Sequence, residues 1–354
     1  MRLLDRHIGQ SVQIAVLGVL AVVMMLFVIV NYFTEAEKVG RADYTTLKAI
    51  EYVLLWLPKL VYQFFPMAAL LGTMLGLGML ANHSELVVIR AAGVSKLRIA
   101  LAAIKALLAM ILIVFFIGEV VAPPAEQHAE QMKLEALGSK ISFNTAFGLW
   151  LRDGETVINV RTLQGKDRLA GVTLYRFAED RRLLRRIEAR TAVRKAGAWE
   201  LQGVIVTDFL ADGPVTIKRR TLPWQTMLDQ ELVDTVSYNP DSLSLWDQYV
   251  YVDYLKRNGL DARLYELAMW NKLVMPLTIL AMVLLAVPFV FVSARHGGMG
   301  RQVLFGFLIG ILFYIVDRLM GQVGLVYRLP PWLAASTPTF LILAASVVLY
   351  RRLG

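Results

Sequence analysis

Six long apolar segments divide this chain of 354 residues and predict membrane-spanning helices. An α-helix needs about 20 apolar residues to cross the hydrocarbon core of a bilayer. The predicted spans one to six cover residues 11–33, 60–80, 97–121, 270–292, 303–321 and 332–350. We expect the first segment to be retained as a span, because it is longer than the apolar region of a signal peptide and no small-residue cleavage site follows it.

The region between spans three and four has a different pattern. Short alternating runs, spaced about ten residues apart and separated by turns that contain glycine, are typical of an all-β sandwich or jelly roll. A two-layer α+β domain is the alternative. The predicted strands cover residues 156–162, 171–177, 199–210 and 215–222. Helical patterns at residues 126–137 and 245–258 flank the strands and connect them to the membrane.

These patterns predict an α-helical membrane protein with six transmembrane helices and an all-β, jelly-roll-like domain outside the membrane. Residues 1–124 carry spans one to three, with a short interfacial helix expected within residues 1–10 and a cytoplasmic helix at residues 82–93. Residues 125–265 form the β-domain with its linking helices. Residues 266–354 carry spans four to six.

The composition supports a membrane protein and excludes several kinds of chemistry. The chain is 57% hydrophobic and 18% charged, with a mean hydropathy of +0.54, whereas soluble domains are about 45–50% apolar and about 25% charged. The absence of cysteine excludes disulfides, thiolate metal sites and cysteine nucleophiles. The four histidines lack metal-binding spacing, and no phosphate-binding loop pattern occurs. We therefore expect no cofactor, no metal and no catalytic residue, with ATP hydrolysis left to a separate partner.

The net charge of +9 is concentrated beside the apolar segments. Residues 122–269 contain 20 basic and 20 acidic residues, so the excess lies where it sets membrane orientation and meets anionic lipid rather than nucleic acid. The short loops and ends on the side of both termini carry nine Lys and Arg residues, against four on the other side. Both termini are therefore predicted to be cytoplasmic, with residues 122–269 on the opposite side.

The loop between spans two and three contains the first candidate site. Residues 82–93 have the pattern of a short capped helix, with Asn82 at the N-cap, Glu85 three residues later and Gly93 just past the end. Glu85 is then either a capping acid or part of a coupling helix that inserts into a cytoplasmic motor subunit. The residues assigned to such a contact are Glu85, Leu86, Ile89 and Arg90.

Three runs near this loop carry a family resemblance. Residues 64–72 (FFPMAALLG), 75–81 (LGLGMLA) and 84–88 (SELVV) resemble the LptF/LptG permease family, the membrane subunits of the lipopolysaccharide export ABC transporter of Gram-negative bacteria. Residues 4–9 (LDRHIG) and 269–272 (MWNK) are closer to one of the two branches of that family than to the other. The resemblance extends over essentially the whole chain.

The resemblance implies a permease subunit of the inner membrane that extracts lipopolysaccharide and passes it to a periplasmic protein bridge. The implied partners are a homologous permease of the other branch, LptF, the dimeric ATPase LptB, the single-span bridge protein LptC and the periplasmic bridge protein LptA. Spans one and five would form lateral gates, the β-domain would join like-folded bridge proteins, and the loop helix with Glu85 would dock into the ATPase. A non-transport membrane scaffold and a lipoprotein-release-type permease are the alternatives.

Basic residues at the outer ends of spans one and two are candidates for substrate binding. Lys59, Lys38 and Arg41 either extend to lipid headgroups, as cations near helix ends usually do, or bind the phosphates and acidic sugars of lipid A. The family resemblance favours Lys59 as a substrate contact, whereas Asn31 stands where relatives carry a further lysine. Glu119, near the outer end of span three, is expected to extend to the interface.

Two further sets of candidates lie within the spans. Phe64 and Phe65 would line an apolar cavity for acyl chains, with ordinary helix packing as the alternative. Asp317 and Arg318 lie near the outer end of span five, and as neighbours on a helix they point in different directions. Lys272 has the same predicted depth in span four and is a candidate partner for Asp317. These three residues are expected to form a structural ion pair or a gate.

Overall fold

The computed structural model describes residues 3–137, 141–142, 149–153, 155–163, 168–178, 182–195, 198–210, 213–224, 240–293 and 299–353. Nine α-helices lie within these residues. In chain order they are α1 (Leu3–Ala36), α2 (Thr46–Asn82), α3 (Glu85–Ala91), α4 (Lys96–Phe116), α5 (Ala122–Ala136), α6 (Leu245–Arg257), α7 (Arg263–Ser293), α8 (Met299–Val326) and α9 (Pro331–Leu353).

Six of the helices are long and apolar enough to cross a membrane, which confirms the six predicted spans. Helix α2 is central, because it packs against α1, α5, α7 and α8. Residues 3–10 belong to the same continuous helix as span one, so the short interfacial helix expected there is not a separate element. This continuity brings the first turn of α1 against the loop between spans two and three.

Span three does not end where its apolar run ends. Helix α4 passes into a π-helical turn at Ile117–Val121 and then directly into α5. Pro123 and Pro124 at the start of α5 have no N–H to donate to the carbonyl groups four residues before them, within the π-helical turn. A π-turn inserts extra residues into a helix and changes the direction in which its side chains point. The side chain of Glu119 lies within this turn.

The middle of the chain forms one antiparallel sheet, in agreement with the predicted all-β class. The described strands are β1 (Ile141–Ser142), β2 (Leu149–Asp153), β3 (Thr156–Leu163), β4 (Arg168–Phe177), β5 (Leu183–Lys195), β6 (Ala198–Leu210) and β7 (Gly213–Trp224). Strands β3 to β7 pair in chain order as a meander, and β1 and β2 both pair with the other edge of β3. One face of this sheet carries its own apolar core, separate from the core of the membrane helices.

Candidate functional sites

A cavity of about 400 Å³ lies where the extended span three meets spans two, four, five and six. Its wall is apolar at Pro66 and Met275 and aromatic at Trp56. Charged residues from five different segments also face it, which is unusual so close to membrane-spanning helices. The charged lining residues are Lys59, Glu126, Asp241, Lys272, Asp317 and Arg318.

Lys59 is held by an acid at the edge of this cavity. Its Nζ lies 2.5 Å from Glu126 Oε1 of α5, and 4.8 Å from the centre of the Trp56 ring. The Lys59 side chain keeps 20% of its surface exposed, whereas that of Glu126 keeps 5%. The same Glu126 oxygen accepts a hydrogen bond of 2.7 Å from Ser242 Oγ. Lys59 is therefore neutralised inside the protein while one side of it remains open.

Lys272 pairs with Glu119, so the predicted pairing of Lys272 with Asp317 is wrong. Lys272 Nζ lies 2.9 Å from Glu119 Oε1 and donates to the carbonyl oxygen of Leu243 at 2.7 Å. The second Glu119 oxygen accepts the backbone N–H of Leu245, also at 2.7 Å. The expectation that Glu119 extends to the interface is wrong as well, because its carboxylate, which belongs to the π-helical turn, contacts Lys272 of span four and is nearly inaccessible.

Asp317 and Arg318 differ in their surroundings, as expected of neighbours on a helix. Asp317 faces the cavity, and it makes no hydrogen bond or ion pair with other residues that the structure describes. Arg318 stacks over the Tyr314 ring at 5.5 Å and lies 3.8 Å from Asp241, with both charged side chains more than half exposed. Lys272, Asp317 and Arg318 thus line the same cavity but do not pair with one another. Lys272 pairs with Glu119 and Arg318 with Asp241.

The chain returns from the β-domain to the membrane through residues 240–245, which we call the return segment. Four charged side chains from four helical elements hold it, and each contacts a different residue of the segment. The contacts are Asp241 with Arg318, Ser242 with Glu126, the Leu243 carbonyl with Lys272 and the Leu245 N–H with Glu119. Both connections to the β-domain, α5 and the return segment, therefore meet at this cavity.

Lys38 and Arg41 have different environments at the outer end of α1. Lys38 and Lys133 of α5 each lie 2.8 Å from the same oxygen of the buried Glu35. Tyr44 donates its hydroxyl to the other Glu35 oxygen at 3.0 Å, and burial together with the Glu35 carboxylate raises the pKa of that phenol. Arg41 is exposed. Arg41 is thus accessible to a ligand. Lys38 pairs with Glu35 at the end of its own helix, and Lys133 is the residue that joins α1 to α5.

Phe64 and Phe65 point to different places. The Phe64 ring lies 4.3 Å from that of Phe27 in α1 and 6.4 Å from that of Tyr314 in α8, so it bridges spans one and five. Phe65 is fully buried in the helical core and has no surface to offer an acyl chain. Neither Phe64 nor Phe65 is among the residues that line the charged cavity, and contact with an acyl chain stays a prediction for Phe64 only.

The cytoplasmic helix predicted at residues 82–93 is shorter than expected. Asn82 ends α2 instead of capping the next helix, and α3 begins at Glu85 after Ser84, whose φ of +63° makes a sharp turn. Glu85 is therefore the first helical residue and not the third. Gly93 lies just past the end with φ +87°, as expected. The tight turn at Ser84 shortens the loop and presses α3 against the spans.

Leu86 of α3, which was predicted to contact another subunit, instead faces the inside of the protein. Leu86 is 1% exposed and packs in the helical core, and Ile89 packs against that core with part of its surface. Val87 and Val88 are 65% and 66% exposed instead. Leu86 is thus unable to fill a cleft of another subunit, and the outward apolar surface of α3 is formed by the two valines.

Two polar contacts fasten α3 and span three to the beginning of α1. His7 Nε2 lies 2.7 Å from Glu85 Oε2, and the buried Asp5 lies 3.5 Å from Arg98 of α4. Arg90 donates to the Val94 carbonyl at the end of α3. Sequence reasoning missed the His7 contact, because the two residues are 78 positions apart and periodicity contains no signal for it.

These features define a class: a polytopic membrane protein with six spans, an antiparallel β-domain inserted between spans three and four, and a charged cavity at their junction. A family model described as lipopolysaccharide export system permease LptF/LptG matches residues 6–352, and this chain belongs to that family.

Relatives from two species match over almost their full length. The lipopolysaccharide export system permease protein LptG of Escherichia coli (strain K12) is 37% identical over 339 residues, which cover 95% of this chain and 94% of that protein. LptG of Haemophilus influenzae (strain ATCC 51907 / DSM 11121 / KW20 / Rd) is 32% identical over 342 residues, which cover 96% of each chain.

Proposed function

We propose that this chain is a membrane permease subunit of the ABC transporter that extracts lipopolysaccharide from the inner membrane and passes it to a periplasmic protein bridge. The observation that carries the proposal is the family match over residues 6–352, together with the six spans and the inserted β-sheet. Both termini are cytoplasmic and residues 122–269 are periplasmic. The excess of Lys and Arg on the side of the termini supports this orientation.

The chain has no ATP site of its own and works with partners. The dimeric ATPase LptB docks on the cytoplasmic surface around α3, a homologous permease LptF completes the membrane part, and LptC and LptA continue the bridge from the β-domain. Support for the ATPase contact comes from α3, which combines the partly exposed Glu85 carboxylate and the Arg90 side chain with an outward apolar surface. An ATPase that binds this surface can move span one through the His7 contact.

Lipopolysaccharide binds where the outer ends of spans one, two and five meet. Lys59, Lys38 and Arg41 supply cations for its phosphates, since charge-assisted hydrogen bonds to phosphate are among the strongest that side chains form. Phe64, between spans one and five, supplies an apolar surface for an acyl chain at the lateral opening. Lys272, Asp317 and Arg318 line the cavity and act as gate residues, and two of them, Lys272 and Arg318, hold the return segment.

Purification of the tagged chain from its own membranes tests this function. We expect a soluble ATPase, a second six-span permease and lipopolysaccharide to elute with it, and ATP to transfer the lipopolysaccharide from proteoliposomes to an added periplasmic acceptor protein. Recovery without any ATPase would indicate a scaffold. Recovery with bound lipoprotein in place of lipopolysaccharide would indicate a lipoprotein-release permease. Either result contradicts the proposal.

A further inference from the structure

The cavity beside Lys59 carries no excess of positive charge. Within the described part of the chain, three cations (Lys59, Lys272 and Arg318) and four carboxylates (Glu126, Asp241, Asp317 and Glu119) line it or pair with its lining residues. A phosphate group that entered the cavity would meet these carboxylates along with the cations. Like charges at such distances repel one another strongly when water is partly excluded. The cavity in this conformation therefore disfavours an anion.

We propose that Glu126 is the internal counter-ion of Lys59 and controls when this lysine binds a substrate phosphate. The inference rests on the proposed function, because it takes Lys59 to be a phosphate ligand. Glu126 is a positioning residue, since it acts through Lys59 and not through its own contact with substrate. Glu126 and the phosphate compete for the charge of the same ammonium group, so pairing with Glu126 lowers the affinity of Lys59 for the phosphate.

The geometry distinguishes this ion pair from a purely structural one. Lys272 and Glu119 are both nearly inaccessible, and each has a backbone partner in addition to the other. Lys59 keeps a fifth of its side-chain surface open towards the cavity, and its ammonium group has three donors. A ligand in the cavity can therefore reach Lys59 without unfolding its surroundings, whereas Lys272 offers no such access.

If the ammonium group of Lys59 leaves Glu126 for a phosphate, the connections of the β-domain to the membrane part are affected. Glu126 would remain as a buried carboxylate without a cation, which is strongly unfavourable unless the group moves into water. Glu126 lies on α5, the connection into the β-domain, and its Oε1 also holds Ser242 of the return segment. Release of Lys59 thus weakens both connections of the β-domain to the membrane part at once. Binding of substrate and repositioning of the β-domain become one event.

Replacement of Glu126 with Gln tests the proposal, because Gln keeps an oxygen for Ser242 and removes only the charge. We expect Glu126→Gln in the purified complex to bind fluorescently labelled lipopolysaccharide about tenfold more tightly, which corresponds to about 1.4 kcal/mol. The gain should disappear in a Lys59→Gln background, since the counter-ion has no role without its lysine. The matched control is Glu130→Gln, one helical turn further along α5, whose carboxylate contacts Tyr52 and not Lys59.

Four outcomes contradict the inference in distinguishable ways. If Lys59→Gln weakens binding but Glu126→Gln does not strengthen it, the counter-ion role is wrong and the substrate role of Lys59 stands. If Lys59→Gln leaves binding unchanged, the substrate role itself fails. If Glu130→Gln has the same effect as Glu126→Gln, the effect is one of general charge. Should Glu126→Gln fail to fold, Glu126→Asp draws the carboxylate back from Nζ, and the absence of any gain in binding would also overturn the proposal.

Discussion

The Lys272–Glu119 pair accounts for two charges that lie at apolar spans. Each charge has the other as its partner, and each also bonds to the backbone of the return segment, at the Leu243 carbonyl and the Leu245 N–H. Removal of a charged group from water is less costly when the group has a partner of opposite charge and a further hydrogen bond. The pair therefore fixes the return segment to spans three and four.

Replacement of Lys272 with Met should reveal this role as a loss of stability. The change leaves Glu119 buried without a cation, for which a loss of about 3–5 kcal/mol in the free energy of unfolding is typical. A thermal unfolding series in detergent, followed by gel filtration, measures the loss. The control is Arg318→Met, because the Arg318–Asp241 pair is exposed and long, and exposed pairs contribute about 0–1 kcal/mol. Equal losses in both variants would contradict the assignment.

The positions of charged residues could be predicted from the sequence, but their partners could not. Depth in the membrane placed Lys272 beside Asp317, since both lie near the outer ends of their spans. The π-helical turn at Ile117–Val121 changes which way Glu119 points, and it depends on how Pro123 and Pro124 disturb the helix before them. A regular period of 3.6 residues contains no trace of such a turn. The predicted substrate role of Lys59 likewise gave no hint of Glu126.

Glycines with positive φ interrupt the regular strands β4 and β6. Gly171 and Gly203 have φ of +65° and +64°. The pairing register on either side places both of them opposite Arg190 of β5, and places Arg161 and Arg220 at the outer ends of the same row. Arginine side chains lie over the glycines, with Arg161 Cβ 3.0 Å from where a Cβ of Gly171 would be. Arginine and glycine thus alternate across the five strands β3 to β7, in the order Arg161, Gly171, Arg190, Gly203 and Arg220.

Alanine at either glycine should destabilise the β-domain. A left-handed backbone conformation costs a residue with a side chain about 1–2 kcal/mol, and the added methyl group would also press on Arg161 or Arg190. We expect Gly171→Ala and Gly203→Ala each to lower the unfolding temperature of the protein. Thr173→Ala, in the same strand as Gly171, is the control and should change the unfolding temperature little. Unchanged stability in both glycine variants would show that the positive φ is not required.

Most elements could be predicted from their periodicity, and the exceptions have physical causes. The six spans and the strands β3, β4, β6 and β7 follow patterns that are long and regular. Strand β5 was not predicted, because arginines at positions 185, 186, 190 and 194 obscure its alternation. The start of α3 was predicted two residues too early, since a non-glycine residue with positive φ such as Ser84 has no reliable sequence signature.

At the scale of the whole molecule, α1 connects the two sites. Its first turn contacts α3 through His7 and Glu85, while its last turn contacts α5 through Glu35 and Lys133. A single helix of 34 residues therefore joins α3 to the connection with the β-domain. Movement of α3 by a bound ATPase would be transmitted along α1 to the region of Lys59 and Glu126, since α5 carries both Lys133 and Glu126.

Replacement of the outward valines of α3 should separate ATPase binding from folding. Val87 and Val88 are exposed, so Asp at either position leaves the helical core intact and places a charge in the proposed interface. Burial of a valine side chain is worth about 1.5 kcal/mol or more, and we therefore expect roughly tenfold weaker retention of the ATPase in a dilution series. Leu86→Ala should instead lower the free energy of unfolding, by about 2–5 kcal/mol for a buried leucine.

Leu3→Asp, at an exposed apolar residue of the same side but outside α3, serves as the control. Undiminished ATPase retention in both valine variants would remove α3 from the interface, whereas a loss in Leu3→Asp of the same size would mean that any added charge on this side weakens the complex.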